Sequence, residues 1–145
     1  MRMSAGGLSR LWRCTRGMAA LEFVFLAPAL LLLVFGTIVY SIYFSALIGV
    51  RQAAAEGARA AVAGLSSPER ASLARARAAA VMDNYKTLLG NSSTPVITAS
   101  ADGTGAFTVA VSYDMSRSPI MRYGNMVPLP TANLRASVTV TNGGY

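Results

Sequence analysis

The sequence predicts an α+β protein on a membrane anchor: a long N-terminal transmembrane helix continuing into a stalk, a second helix, and a small antiparallel sheet of about three strands. Three observations carry that expectation. From Phe23 to Val50 there are 28 consecutive residues without a charge. After Ser66 a capped segment rich in alanine reads as helix, and from Thr94 the apolar residues alternate with polar ones instead.

The anchor comes first in the chain. About 20 apolar residues rising 1.5 Å each cover the roughly 30 Å hydrocarbon core of a bilayer, so the uncharged stretch is long enough and runs on into the interface. Tyr40, Tyr43 and Phe44 suit the far headgroup region. Arg2, Arg10, Arg13 and Arg16 precede the span with no acid among them, which holds the N-terminus in the cytoplasm and puts everything after about Val50 in the periplasm or outside. A conventional secretory signal fits less well. Its apolar region is about 7 to 15 residues long with a small-residue cleavage site close behind. The small residues at Ala53 to Ala55 come too late and follow Arg51. Pro28 removes a backbone donor early in the span and predicts a local kink. The kink reads equally as a feature of a simple anchor and as a bend that lets helices pack at an angle. The expected organisation is a basic leader over 1–17, a transmembrane helix over 18–50, a helical stalk over 51–64 and a small periplasmic domain over 65–145.

Arg51 to Ala63 follows the span without a breaker and is rich in alanine, so the first helix is expected to continue to about Gly64 as a solvated stalk. Glu56 and Arg59, three apart, pair weakly on it. Ser66-Ser67-Pro68-Glu69 is a helix start, with a serine cap, a proline in the first turn and an early acid. The second helix is expected to run to about Leu89 and to close on Gly90. Leu73, Ala80, Val81 and Leu88 mark its packing side, with Arg75, Met82 and Lys86 opposite. Beyond Thr94, Val96 to Ser100 and a strand containing Phe107, Val109, Val111 and Tyr113 form a hairpin about Gly103 and Gly105. Leu134, Ala136, Val138 and Val140 alternate in a further strand. The proline-rich connection from Ser118 to Pro130 reads as an exposed loop, either laid over the sheet or serving as a contact surface. Asn91-Ser92-Ser93 fits a glycosylation sequon, a pattern too short to inform.

Composition narrows the function. The net charge is +7, but the leader's four arginines leave nine basic against six acidic residues after Gly17. No folded cationic face of the kind that binds nucleic acid is indicated. The single cysteine, Cys14, lies in the leader, and the chain has no histidine. Disulfide frameworks, imidazole catalysis and cysteine- or histidine-based metal sites are therefore excluded, and no cofactor is expected. Asp83, Asp102 and Asp114 are scattered without a nucleophile elbow or phosphate loop, so a hydrolase is not indicated either.

One motif remains. The leader ends at Arg16-Gly17, and Met18-Ala19-Ala20-Leu21-Glu22-Phe23 follows, so cutting after Gly17 makes Glu22 the fifth residue of the mature chain. Taken alone, Glu22 reads as an interfacial charge that snorkels to headgroups or pairs with Arg16 or Arg13. Joined to the basic leader, Gly17 and the immediate apolar helix, it resembles the class III signal of type IV prepilins and pseudopilins. The run from Gly17 to about Ala61, with Glu22-Phe23, Pro28, Gly36 and Ala54-x-Glu56-Gly57-Ala58-Arg59, resembles the TadE-like family of minor pseudopilins of the tight-adherence (Tad, or Flp) pilus. The polar stretch that such proteins often carry after the glycine at Gly36 is replaced here by Thr37-Ile38-Val39-Tyr40, so no role for a second acid carries over.

The resemblance implies a non-enzymatic, structural protein of the bacterial inner membrane, cut after Gly17 by prepilin peptidase, usually with methylation of the new Met18 amine. It implies that Glu22 meets the N-terminal amine of a neighbouring subunit and sets axial register. The implied partners are other Tad pilins and pseudopilins and the inner-membrane assembly platform, in a hetero-oligomer. The 128 residues after Gly17 exceed the length of a major Flp pilin and point to a minor subunit. TadE, TadF and short TadG-like subunits are not separated. An uncut membrane-tethered scaffold and a type II secretion pseudopilin are the alternatives.

Overall fold

A computed structural model describes residues 15–90 and 93–141 of the chain. The leader up to Cys14, the sequon residues Asn91 and Ser92, and residues 142–145 lie outside the described part. Two compact units emerge, Met1–Ile38 and Val39–Tyr145.

Helix α1 spans Thr15–Ala61, 47 residues with Pro28 as the one proline inside it. Leucine and alanine keep it helical, and no capping residue interrupts it before Gly64. From Met18 to Ile38 most of its side chains are exposed: Phe25 is 75% and Leu31 67% exposed. From Met18 onward α1 is long and apolar enough to cross a membrane, the one such helix among the described residues, and it marks a single-pass membrane protein.

In the second unit α1 changes character. Val39, Tyr43, Ala46, Val50, Ala53, Ala54, Ala58 and Ala61 form a stripe at helical spacing, and even Tyr43 is only 4% exposed. The segment expected to be a solvated stalk is thus packed through one face. Its small side chains explain the discrepancy: an alanine-rich helix offers no large apolar residues to announce a buried face, yet it admits close neighbours.

A tightened turn ends α1, with the amides of Val62, Ala63 and Gly64 bonding to carbonyls three residues back. Helix α2 then spans Ser67–Asp83. Ser66 is extended and its Oγ accepts from the Glu69 amide at 3.4 Å, while Glu69 Oε2 accepts from the Leu65 amide at 3.0 Å. Two orphan donors at the helix start are satisfied in this way. The second helix stops earlier than expected. After Asp83, the amides of Asn84 and Tyr85 bond to carbonyls three residues back, and only a short helix α3, Lys86–Leu89, follows before Gly90 at φ 74°. The break aims the Tyr85 ring at α1, where its hydroxyl donates to Gln52 Oε1 at 3.0 Å. The packing face also differs from expectation: Met82 is buried at 1% exposure, whereas Leu73 and Leu88 are exposed. Ala74 and Ala78, not the leucines, lead α2 into its contact.

Strands β1 (Val96–Ala101), β2 (Ala106–Asp114) and β3 (Asn133–Thr141) form an antiparallel sheet in the order β1-β2-β3. Ala101 pairs with Phe107 across the first hairpin, and Phe107 with Val140 across the second ladder. Gly103 (φ 82°) and Gly105 (φ 88°) turn the hairpin as their lack of a Cβ allows. Alternation does the rest, turning Phe107, Val109, Val111 and Tyr113 inward. Ala58 and Ala61 of α1, Ala74 of α2, Ala99 of β1 and Phe107 and Val109 of β2 make one core cluster, flanked by Ala71, Ile97, Val138 and Val140.

The connection before β3 is less exposed than its composition suggests. Pro119–Tyr123 is a 3-10 turn, and Ser118, Ile120 and Val127 are buried.

Candidate functional site

The sequence points to the junction of leader and helix as the site. Gly17, Met18, Glu22, Phe23 and Pro28 all lie within α1, since that helix already begins at Thr15. Met18 and Glu22 are four apart, one turn and roughly 6 Å along the axis, and so share a face. Glu22 is exposed, and among the described residues it has no ion-pair partner. The side chains of Arg13 and Arg16 lie outside the described part. Phe23 is 68% exposed. The helix passes through Pro28, which has no amide proton to give the Val24 carbonyl. The carbonyl is left for a donor from outside the helix.

Between Met18 and Val50 Glu22 is the one charged residue, and burying it stabilises a complex only if a cation is buried with it.

The second unit holds a constellation that large-residue patterns do not reveal. Gly49 faces the ring of Tyr85, and a Cβ there would stand 3.0 Å from ring carbons. Gly57 faces α2 and the sheet at once: a Cβ there would lie 3.0 Å from the Ala74 carbonyl oxygen and 3.2 Å from both Ala78 Cβ and Val109 Cγ1. Between them Glu56 accepts from Arg59 at 2.9 Å and reaches Arg77 of α2 at 3.5 Å. Arg70 of α2 donates through Nε to the Ala61 carbonyl at 3.1 Å and lays its guanidinium 4.6 Å above the Phe107 ring. A cation at the negative end of α1 is favourable, as is one over an aromatic face. The Gly-Ala spacing along α1 was the signal for this seam.

The remaining acids serve turns. Asp102 Oδ1 accepts from the Thr104 amide and hydroxyl and the Ala106 amide, bonds that hold its carboxyl below the usual value, with the Thr104 hydroxyl leading. Asp114 is lowered likewise, chiefly by the Ser116 amide, while Asp83 pairs with Lys86. An open groove of about 630 Å3 crosses the outer face of the sheet past Thr98, Ser112, Arg135 and Ser137. Another of about 470 Å3 lies between Gln52, Glu56, Arg77, Asn84 and Tyr85. Neither gathers acids: among the described residues no cluster of three metal-binding side chains occurs.

No curated protein and no solved structure matches the chain. One family does: residues 17–59 match the model of the TadE-like protein family. The match opens on Gly17 and closes on Arg59, so it takes in the exposed apolar part of α1 and most of the seam through Gly57. The segment from Gly17 to Arg59 is therefore similar to the TadE-like protein family.

Proposed function

We propose that this protein is a minor pseudopilin of a Tad-type pilus, a structural subunit without catalytic activity. Prepilin peptidase cuts it after Gly17, and it then acts in pilus biogenesis and, through the pilus, in adhesion and surface colonisation. The N-terminus faces the cytoplasm and the second unit the periplasm. Other Tad pilins and pseudopilins and the inner-membrane assembly platform are its partners. The observation that carries the reading is a coincidence of position: the family match begins at Gly17, one residue before the amine that Glu22 would meet.

The Gly17–Met18 bond lies within helix, and a peptidase must unwind the backbone there to reach it. N-terminal sequencing of protein extracted from membranes of cells with active prepilin peptidase is expected to give Met18. Intact Met1 overturns the processing step and favours an uncut tether. Glu22→Ala is expected to insert normally yet fail in pilus assembly; assembly at the wild-type level removes the register role.

A further inference from the structure

Helix α1 carries more apolar residues than a bilayer requires. With Glu22 at the inner interface, about 20 residues complete the crossing, which brings the outer boundary to about residue 42. Packing of the second unit has begun by then, for Val39 is only 2% exposed.

At this height stand Tyr40 and Tyr43, stacked and edge-on against Phe44 with centroids 6.0 and 5.9 Å away. The Tyr40 hydroxyl donates to the Pro128 carbonyl at 2.6 Å, which pins the β2–β3 connection to the same level of α1. The connection is a formed structure. Ser118, Ile120 and Val127 are buried, the Ser118 hydroxyl donates to the Leu89 carbonyl at 3.4 Å, and the amides of Met126 and Val127 both bond to the Tyr123 carbonyl at 2.9 Å. With those residues holding it down, Arg117, Arg122, Tyr123 and Met126 face outward, Met126 at 61% exposure.

From Met115 to the last residue the sequence contains three arginines and no acid. Asp114, the acid nearest Arg117 in sequence, is engaged mainly by the Ser116 amide at 2.9 Å and its hydroxyl at 3.0 Å, with the Arg117 charge a weaker influence on it. Asp83 is taken up by Lys86. Guanidinium groups beside a tyrosine and a methionine, held at the level where a span leaves the hydrocarbon, match the layering of a phospholipid surface: phosphate outside, acyl chain within.

We propose that the β2–β3 connection is a membrane-seating element, with Arg117 and Arg122 on anionic phospholipid headgroups and Tyr123 and Met126 at the headgroup–acyl boundary. It rests on the membrane-anchored reading above and adds a lipid partner for a surface outside the family-matched segment.

The test places a spin label at Met126→Cys in full-length protein carrying Cys14→Ser, reconstituted in nanodiscs of phosphatidylglycerol or of phosphatidylcholine. A label at Thr104→Cys in the β1–β2 turn is the control. In phosphatidylglycerol, position 126 is expected to be several-fold less accessible to a water-soluble nickel relaxant than position 104, and more accessible to oxygen. Phosphatidylcholine, or Arg117→Gln with Arg122→Gln, should raise nickel access toward the control. Equal access at both positions overturns the proposal, as does protection insensitive to lipid charge and to both arginines. Protection appearing only when other Tad components are added overturns it too, in favour of a protein contact. Carbonate extraction separates the two readings: a chain released from the bilayer refutes the anchor, and a retained chain with a wet position 126 refutes the seating alone.

Discussion

One helix is built for two solvents. From Met18 to Ile38, α1 presents leucine, phenylalanine and valine mostly outward, whereas from Val39 to Ala61 it turns alanine, glycine and valine onto α2 and the sheet. Bulky aliphatic side chains suit lipid, where apolar surface needs no burial against protein. Small ones suit a seam where backbones approach closely, and there the packing geometry, not the amount of apolar surface, decides stability. Side-chain size separates the halves, together with Arg51, Glu56 and Arg59, which only the second half carries.

The contrast is broken most severely by enlarging a glycine in each half. Gly57→Leu drives a side chain against the Ala74 carbonyl, Ala78 and Val109, whereas a Cβ at Gly36 meets nothing within 4 Å. The first is expected to destabilise the second unit by about 3 kcal/mol or more, and the second to leave it within about 0.5 kcal/mol of wild type. Denaturant unfolding in detergent, followed by near-ultraviolet circular dichroism, reads the difference. Equal losses at both positions would mean that the seam is not what distinguishes the halves.

A smaller effect is expected where the seam meets the break in the second helix. Tyr85→Ala removes the ring from Gly49 and the hydroxyl from Gln52, at about 2 kcal/mol. Gly49→Ala alone crowds that ring at 3.0 Å and should also destabilise. In the Tyr85→Ala background, Gly49→Ala is expected to cost nothing or to stabilise, since the crowding is gone and alanine favours helix. Additive losses in the double-mutant cycle would show that ring and glycine do not interact.

Much of this fold was legible in the sequence, for physical reasons that also mark the limits. The uncharged run from Phe23, the Ser66-to-Glu69 helix start, the Gly103 and Gly105 turn and the alternation around Phe107 and Val138 are local signals, and each names its element. The seam is not local. Ala53, Ala58 and Ala74 are as compatible with a solvated helix as with a buried one until a partner is present, so a stalk was expected where packing occurs. The break at Asn84 and Tyr85 depends likewise on Gly49, which lies 36 residues before Tyr85. At the candidate site the Gly17-to-Glu22 spacing was legible as a motif, and the helix supplies only its geometry.

The smallest expected effect lies far from either half of α1, in the β1–β2 turn. The Thr104 hydroxyl, the Thr104 amide and the Ala106 amide favour the ionised form of Asp102, and its carboxyl titrates below the ordinary value of 3.8. A group depressed in the folded state contributes stability above its unfolded value, near 4, and that contribution fades as pH falls through the folded value. The carboxylate is fully exposed, so solvent screening keeps the contribution small. Asp102→Asn retains an acceptor oxygen but cannot ionise. Its thermal midpoint is expected to fall slightly below wild type at pH 7, with the gap closing below about pH 4. A gap that persists unchanged into acid would assign the effect to turn geometry alone. A loss at pH 7 matching that of Gly57→Leu would mean that the hairpin turn, not the seam along α1, limits the stability of the second unit.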